Sequence, residues 1–277
     1  MKQTPSESLP RPFLKWVGGK GRLVDLLLRH TPSFKAYHEP FAGGGAFFFR
    51  LYRAGRLKGS VYLSDSNTYL IDAWLGVRDT LNDLIPLLNE HKQQHSKVHY
   101  YAVRADSPET LAERAARILY LNRTCFNGLF RLNSRGEFNV PMGRYVNPRI
   151  CDEANLEACS LALQQVNIEA RPFETVVERA VSGDFVYFDP PYHPVSKTSS
   201  FTSYDIKAFT EADQERLADL FRKLHKKKVK LMLSNSDTPF IRELYKGFTI
   251  DQIFMPRNVN SVAEKRGAVP EVIVRNY

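Results

Sequence analysis

Asp189-Pro190-Pro191-Tyr192 brings a carboxylate, two rigid backbone positions and an aromatic ring into four consecutive residues. Prolines donate no backbone N–H, and the first one biases Asp189 towards an extended conformation. The segment therefore offers carbonyl oxygens, a carboxylate and a ring face. That set suits a planar substrate bearing an amino group, whose N–H bonds the oxygens accept while Tyr192 stacks on its ring. Just upstream, Phe185, Val186, Tyr187 and Phe188 are aromatic or β-branched and are bounded by turn residues, which reads as a buried strand. A carboxylate at the carboxyl end of such a strand sits where open α/β sheets place their ligands. Taken alone, Asp-Pro-Pro can also do no more than end a strand and start a turn.

A second constellation lies near the amino terminus. Glu39-Pro-Phe-Ala-Gly-Gly-Gly45 is a glycine-rich turn between a short strand and an apolar helix. Glycines there let a ligand approach the backbone, and a helix start contributes free N–H groups. Such a run can also serve only as a tight turn. It gains meaning from Asp65, which ends the next strand at the distance where an acid receives ribose hydroxyls. No Gly-x-x-x-x-Gly-Lys-Ser/Thr phosphate loop occurs. A nucleoside-bearing cofactor without an obligatory triphosphate fits best.

The elements that must position these groups alternate between strand and helix at both ends of the chain, which points to an α/β layer architecture. The expected strands are Ala36–Glu39, Val61–Ser64, Val166–Glu169, Phe185–Phe188, Lys230–Ser234, Phe248–Ile253 and Glu271–Arg275. Expected helices follow Lys20, with Leu23, Leu26 and Leu27 on one face, and run over Ala46–Leu51 and Asn67–Arg78. The middle is helical, with Leu111, Ala115 and Ile118 at i, i+4, i+7 spacing, and it breaks into a loop or hairpin between Asn122 and Pro148. The organisation this predicts is a discontinuous α/β domain, 1–80 plus 165–277, interrupted by a largely helical insertion at 81–164.

Composition bounds the partners. The chain has 277 residues, 43% hydrophobic and 25% charged, an ordinary globular balance. No run of about 18 apolar residues is present and the first residues have no apolar signal core, so no membrane segment or leader is expected. Cys125, Cys151 and Cys159 form neither a metal spacing nor an even disulfide framework, which fits a reducing cytoplasm. Lys plus Arg number 39 against 30 Asp plus Glu, a net charge of +9 compatible with a polyanion. Lys226–Lys230 reads as a solvated helix end. Between Arg123 and Arg149, by contrast, arginines alternate with turn residues and aromatics.

In this order, Phe13-Leu-Lys-Trp-Val-Gly-Gly-Lys20, Glu39–Gly45, Leu63-Ser-Asp65, Leu121–Arg131, Arg135–Tyr145, Asp189–Tyr192 and Ser234-Asn-Ser-Asp237 resemble the Dam-type (D12 class, alpha group) DNA adenine-N6 methyltransferases. The resemblance covers about Phe13 to Val274. It implies a Rossmann-like methyltransferase sheet with S-adenosylmethionine as cofactor, no metal, duplex DNA as substrate and a monomer in solution. It places Trp16 and Lys20 beside the cofactor and cradles it in the loop from Glu39 through Phe41, Gly43 and Gly45. Asp65 takes the ribose hydroxyls, and Phe173 approaches the adenine ring. Asp189 and the Pro190 carbonyl would hold the target N6 amine, with Pro191 completing the turn and Tyr192 stacking on a flipped base.

The same resemblance assigns DNA reading to the insertion. Arg131 matches a guanine-reading arginine, Leu129 and Pro141 match contacts to a thymine methyl, and Lys15 matches a second base contact. Phe126 and Asn127 match residues that fill the gap left by the flipped base, with Phe126 where the family has Tyr. Tyr145 closes this DNA-binding set. GATC is the implied target. Residues 257–266 keep little of the family pattern beyond basic and polar character. Read without the family, Arg131 and Arg135 can be a solvated basic hairpin, Phe126 a core aromatic, Trp16 a packing residue and Lys15 a surface lysine. Amino-group methylation of RNA or of a protein glutamine, and DNA binding without catalysis, are the rival functions.

Overall fold

The computed structural model describes residues 9–16, 23–195, 209–256 and 268–277. Loop 257–266 lies outside that range. Seven strands form one sheet in the order β3-β2-β1-β4-β5-β7-β6. They are β1 Tyr37–Glu39, β2 Val61–Asp65, β3 Val166–Ala170, β4 Phe185–Phe188, β5 Lys230–Ser236, β6 Thr249–Pro256 and β7 Ala268–Arg275. β1 runs parallel to β2 and to β4, and β4 runs parallel to β5. β7 lies antiparallel between β5 and β6, which makes the sheet mixed. This is the α/β sheet that the alternation predicts, in the Rossmann-like form that the family resemblance implies, with all seven expected strands present and β5, β6 and β7 each longer than expected.

Ten helices are described: α1 Leu23–His30, α2 Ala46–Arg53, α3 Thr68–Asp79, α4 Leu81–Gln93, α5 Lys97–Ala105, α6 Leu111–Thr124, α7 Glu153–Leu163, α8 Val176–Arg179, α9 Glu211–Lys226 and α10 Pro239–Leu244. No helix among the described residues is long and apolar enough to cross a membrane. The chain divides into two compact units, one built from residues 9–16, Gly43–Arg56 and Asp65–Ala170, the other from residues 23–42, Leu57–Ser64 and the described residues from Arg171 onward.

The first unit holds α2 to α7 and β3, and Trp74 of α3 sits at its centre. Trp74 is fully buried, stacks on Phe49 of α2 at 5.6 Å and meets Phe13 edge-on at 5.0 Å. Thr110 and Glu113 form a reciprocal capping box that starts α6, as a Thr-x-x-Glu sequence before an apolar run should. Past Thr124 the chain turns into a short hairpin, held by isolated bridges between Cys125 and Met142 and between Leu132 and Phe138.

The second unit packs α9 and α10 on β4, β5 and β7. Its core joins Phe188, Leu217, Phe221, Leu231, Leu233, Tyr245 and Val272. Strands buried on both faces carry continuous apolar runs, and Phe185–Phe188 is such a run, buried at every position. Lys226, Lys227 and Lys228 are exposed at the end of α9, the solvated helix end that the charge run suggests.

Candidate active site

In the second unit, β1 lies between β2 and β4, so the strand order reverses at β1. The carboxyl ends of β1 and β4 meet at this switch point, where open α/β sheets bind ligands. Asp189 stands at the end of β4, half-buried, and accepts a hydrogen bond from Ser234 Oγ at 2.8 Å. The Tyr187 hydroxyl lies 2.9 Å from the same Ser234 oxygen. Tyr192 donates to Glu271 Oε2 at 3.3 Å. Burial, then the Asp189 carboxylate, hold the phenols of Tyr187 and Tyr192 well above the ordinary range, so both keep their protons.

The Asp-Pro-Pro-Tyr turn is fixed by residues far away in sequence. Gln214 Nε2 donates to the Pro191 carbonyl at 2.9 Å, Asn235 Nδ2 donates to Gln214 Oε1 at 3.1 Å, and Asn235 Oδ1 accepts the His193 N–H at 2.9 Å. Gln214 and Asn235 are buried, so these bonds form where water does not compete. Pro190 is buried and Pro191 exposed. A turn held this firmly is more than punctuation after a strand.

Two aromatic rings that the resemblance assigns to the cofactor also meet in this unit. Phe41 stacks on Phe173 at 5.2 Å and meets Phe209 edge-on at 5.7 Å. Glu39 is buried at the end of β1, where its Oε2 accepts the Tyr37 hydroxyl at 2.7 Å.

The first unit carries Asp65, Gly43, Gly45 and Trp16. Asp65 Oδ2 accepts the Gly43 N–H at 3.1 Å and its Oδ1 the Asn67 N–H at 3.0 Å. Burial pushes the Asp65 carboxyl up, while backbone N–H groups of Asn67, Gly43 and Ser66 pull the other way. A carboxylate has about four acceptor positions, so it retains capacity for hydroxyl donors. Trp74 Nε1 donates to the Gly43 carbonyl at 3.0 Å, pinning the loop from its other side. Gly43 and Gly45 both have positive φ, 48° and 68°. A Cβ on Gly45 would lie 2.3 Å from Trp74, and one on Gly43 would lie 2.9 Å from Trp16. Trp16 thus lies against the glycine loop, and its ring also faces Phe130 at 5.7 Å. Lys20 lies outside the described residues.

The first unit also gathers the residues that the resemblance assigns to DNA. Asn122 is buried, accepts the Lys15 N–H at 2.7 Å and donates to the Lys15 carbonyl at 2.7 Å. Lys15 Nζ then lies 4.0 Å above the Tyr145 ring, a cation–π contact and not a free surface lysine. The Phe126 N–H bonds the Pro141 carbonyl at 2.9 Å, which brings the two flanks of the hairpin together. Phe126 is 49% exposed, so it is not a core aromatic, and Leu129 is 37% exposed. Pro141 is exposed as well. Asn127 is one of two described non-glycine residues with positive φ, 53°. That strained backbone sits at the tip of the turn between Phe126 and Gly128. Arg131 is half-buried and bonded to Asn139, whereas Arg135 is an exposed ion pair with Glu137 at 2.9 Å, the solvated hairpin end.

Sequence reading gave no role to Gln214, Asn235, Glu271, His193, Asn122 or Asn139. One signal was available for Gln214: it shares the apolar stripe of α9 with Leu217, Ala218 and Phe221 at i, i+3, i+4, i+7, and an amide there needs a partner. The thiols of Cys125 and Cys151 are pushed up to about 11 and that of Cys159 to about 12, in each case chiefly by burial. None is primed as a nucleophile.

With this geometry in place, comparison with known proteins narrows the chemistry. The profile of the D12 class N6 adenine-specific DNA methyltransferases matches residues 16–256. The Type II methyltransferase M1.LlaDCHI of Lactococcus lactis subsp. cremoris is 42% identical, over 96% of this chain and 95% of its own length. The Type II methyltransferase M.MjaIII of Methanocaldococcus jannaschii is 41% identical, over 96% and 99%. The DNA adenine methylase of Escherichia coli K12 is 33% identical, over 95% and 94%. A profile match spanning both the glycine loop and the Asp-Pro-Pro-Tyr turn, together with relatives alike along nearly their whole length, shows that this chain belongs to the D12 class N6 adenine-specific DNA methyltransferases.

Proposed function

We propose that the chain transfers a methyl group from S-adenosylmethionine to N6 of adenine within GATC in duplex DNA, acting on a base turned out of the helix. The observation that carries this reading is the Asp189 turn, fixed by Ser234, Gln214 and Asn235 at the switch point of the sheet. Bound S-adenosylmethionine supplies the electrophilic methyl group of a sulfonium. On the first unit, Asp65 would receive the ribose hydroxyls, with Trp16, Gly43 and Gly45 against the cofactor and Lys20 completing the set. Among the residues of the second unit, the half-buried Phe41, backed by the buried Phe173, would be the ring for its adenine, and Glu39 a further acceptor. The half-buried acceptor, the side-chain-free loop and the aromatic pair suit a nucleoside.

Adenine N6 shares its lone pair with the ring and is a poor nucleophile. In the proposed step, Asp189 and the Pro190 carbonyl accept hydrogen bonds from its two N–H groups. They draw the nitrogen towards tetrahedral geometry and stabilise the positive charge that grows as it takes the methyl; the methyl's bond to sulfur would break as the N–C bond forms, leaving the neutral thioether S-adenosylhomocysteine, and N6 would then give up one proton. This is orientation and electrostatics, with no covalent intermediate on the protein. Tyr192, tethered to Glu271, presents a ring of fixed orientation for the base to stack on. Unstacking the adenine costs a few kcal/mol, and Phe126 with Asn127 would fill the space it leaves.

Residues 81–164 would supply recognition, and 1–80 with 165–277 catalysis. Arg131 would bond guanine O6 and N7, worth roughly 1–3 kcal/mol of discrimination. Leu129 and Pro141 would touch a thymine methyl, and Lys15, steered by Tyr145, a second base. Incubation with labelled S-adenosylmethionine and duplexes with or without GATC tests the proposal. Transfer is expected only to the GATC duplex. Equal transfer to both would remove the sequence assignment, and transfer to neither would remove the reaction.

A further inference from the structure

Asp189 is one end of a three-residue chain. β4 and β5 pair with Tyr187 opposite Met232 and Phe188 opposite Leu233, a register that brings Ser234 level with the residue after β4. Ser234 donates to Asp189 Oδ1 at 2.8 Å, and the Tyr187 hydroxyl is 2.9 Å from Ser234 Oγ. Tyr187 is 1% and Ser234 0% exposed.

The direction of the chain follows from counting protons. A serine hydroxyl has one, and a carboxylate can only accept. Once Ser234 donates to Asp189, Tyr187 has to donate to Ser234. Tyr187 keeps its proton, because burial and the neighbouring carboxylates oppose ionisation. Hydrogen bonds in such a chain polarise one another, and the one that ends on a charged group is the strongest.

We propose that Ser234 and Tyr187 are positioning residues for methyl transfer, fixing through Tyr187 Oη, Ser234 Oγ and Asp189 Oδ1 the angle at which the Asp189 carboxylate meets the substrate amine. The inference rests on the role given to Asp189 above. Neither residue touches substrate in this scheme. Each removes rotational freedom from the carboxylate before the reaction, which is where preorganised electrostatics act. Their loss therefore falls on kcat and leaves ground-state binding of DNA and cofactor nearly unchanged.

The test uses the full chain, labelled S-adenosylmethionine and GATC duplex. Ser234→Ala is expected to lower kcat by about 10-fold, with both KM values within about twofold of wild type. Tyr187→Phe, which removes only an oxygen, is expected to lower kcat about 3-fold and carries the test if Ser234→Ala does not fold. The double variant is expected to be no slower than Ser234→Ala alone, since both act through one link. Wild-type kcat in either single variant, or losses that multiply in the double, would overturn the inference. A wild-type protein that methylates no DNA would instead overturn the adenine reading itself.

Discussion

Asn139 grips the Arg131 guanidinium at two points: its side-chain oxygen accepts Nε–H at 2.7 Å and its carbonyl accepts from Nη2 at 3.3 Å. The Asn139 N–H in turn bonds the Arg131 carbonyl at 3.0 Å, so the two residues face each other across the hairpin. Contact at Nε occupies the side edge of the guanidinium and orients its end-on fork, the geometry that reads a pair of planar acceptors. Asn139→Ala is expected to let the fork turn. The ratio of kcat/KM for GATC over a duplex with the guanine replaced should fall about 5–10-fold, part of the roughly 1–3 kcal/mol such a contact is worth. An unchanged ratio would show that Arg131 is not aligned by Asn139.

Gly45 cannot carry a side chain where it stands. Its φ is 68°, and a Cβ would lie 2.3 Å from Trp74, which is itself packed on Phe49 and cannot retreat. Gly45→Ala combines a left-handed backbone penalty of about 1 kcal/mol with overpacking of about 1–3 kcal/mol. Urea unfolding should show a loss of about 2–4 kcal/mol. A loss under about 1 kcal/mol would mean that the loop shifts freely, and Gly45 would then not be needed for a close approach.

How much of this was legible beforehand depends on distance along the chain. β4 and the turn after it declare themselves locally, since Phe185–Phe188 is an unbroken apolar run stopped by Asp189 and two prolines. The glycine loop and Asp65 are read from spacing alone. What fixes them is not. Gln214 reaches back 23 residues to the Pro191 carbonyl, and Trp74 reaches 31 residues to Gly43. No periodicity encodes such pairs, because they arise only once helices and strands have packed. The hairpin after Thr124 shows the same limit. Its composition marks a turn, but its two isolated bridges and the Asn139 grip depend on register. Sequence leaves the roles of Lys15 and Phe126 open, and burial separates them: one lies over Tyr145, the other is half in solvent.

Asp65 should separate cofactor binding from folding. Its two oxygens accept the N–H groups of Gly43 and Asn67, and the side chain is half-buried, so a ligand can still reach it. Asp65→Asn keeps the size but replaces one acceptor with a donor, which would face an N–H group. Titration calorimetry is expected to show S-adenosylmethionine binding weakened about 10-fold or more, in line with roughly 1.5–3 kcal/mol for a charged hydrogen bond. Affinity at the wild-type level would exclude Asp65 as the ribose acceptor.

The histidines between α4 and α6 should make folding acid-sensitive. His91 Nδ1 lies 3.0 Å from His99 Nε2, and the His91 ring stacks on Tyr120 of α6 at 4.8 Å. His95 Nδ1 lies 2.9 Å from the same tyrosine's hydroxyl. Burial first, then His99, lower the His91 pKa to about 4, with Glu90 and Asp106 opposing. The folded state therefore binds this proton less readily than the unfolded state, whose imidazole titrates near 6.5. Stability carried by a neutral His91 is complete above that value and is lost as pH falls towards about 4. The ring is partly solvated, so screening reduces the effect below what the shift alone would give. Thermal melts at pH 7 and pH 5 should show the melting temperature falling, and falling less in His91→Gln, which still reaches His99 but takes up no proton. Equal falls in the two proteins would assign the acid sensitivity to other groups.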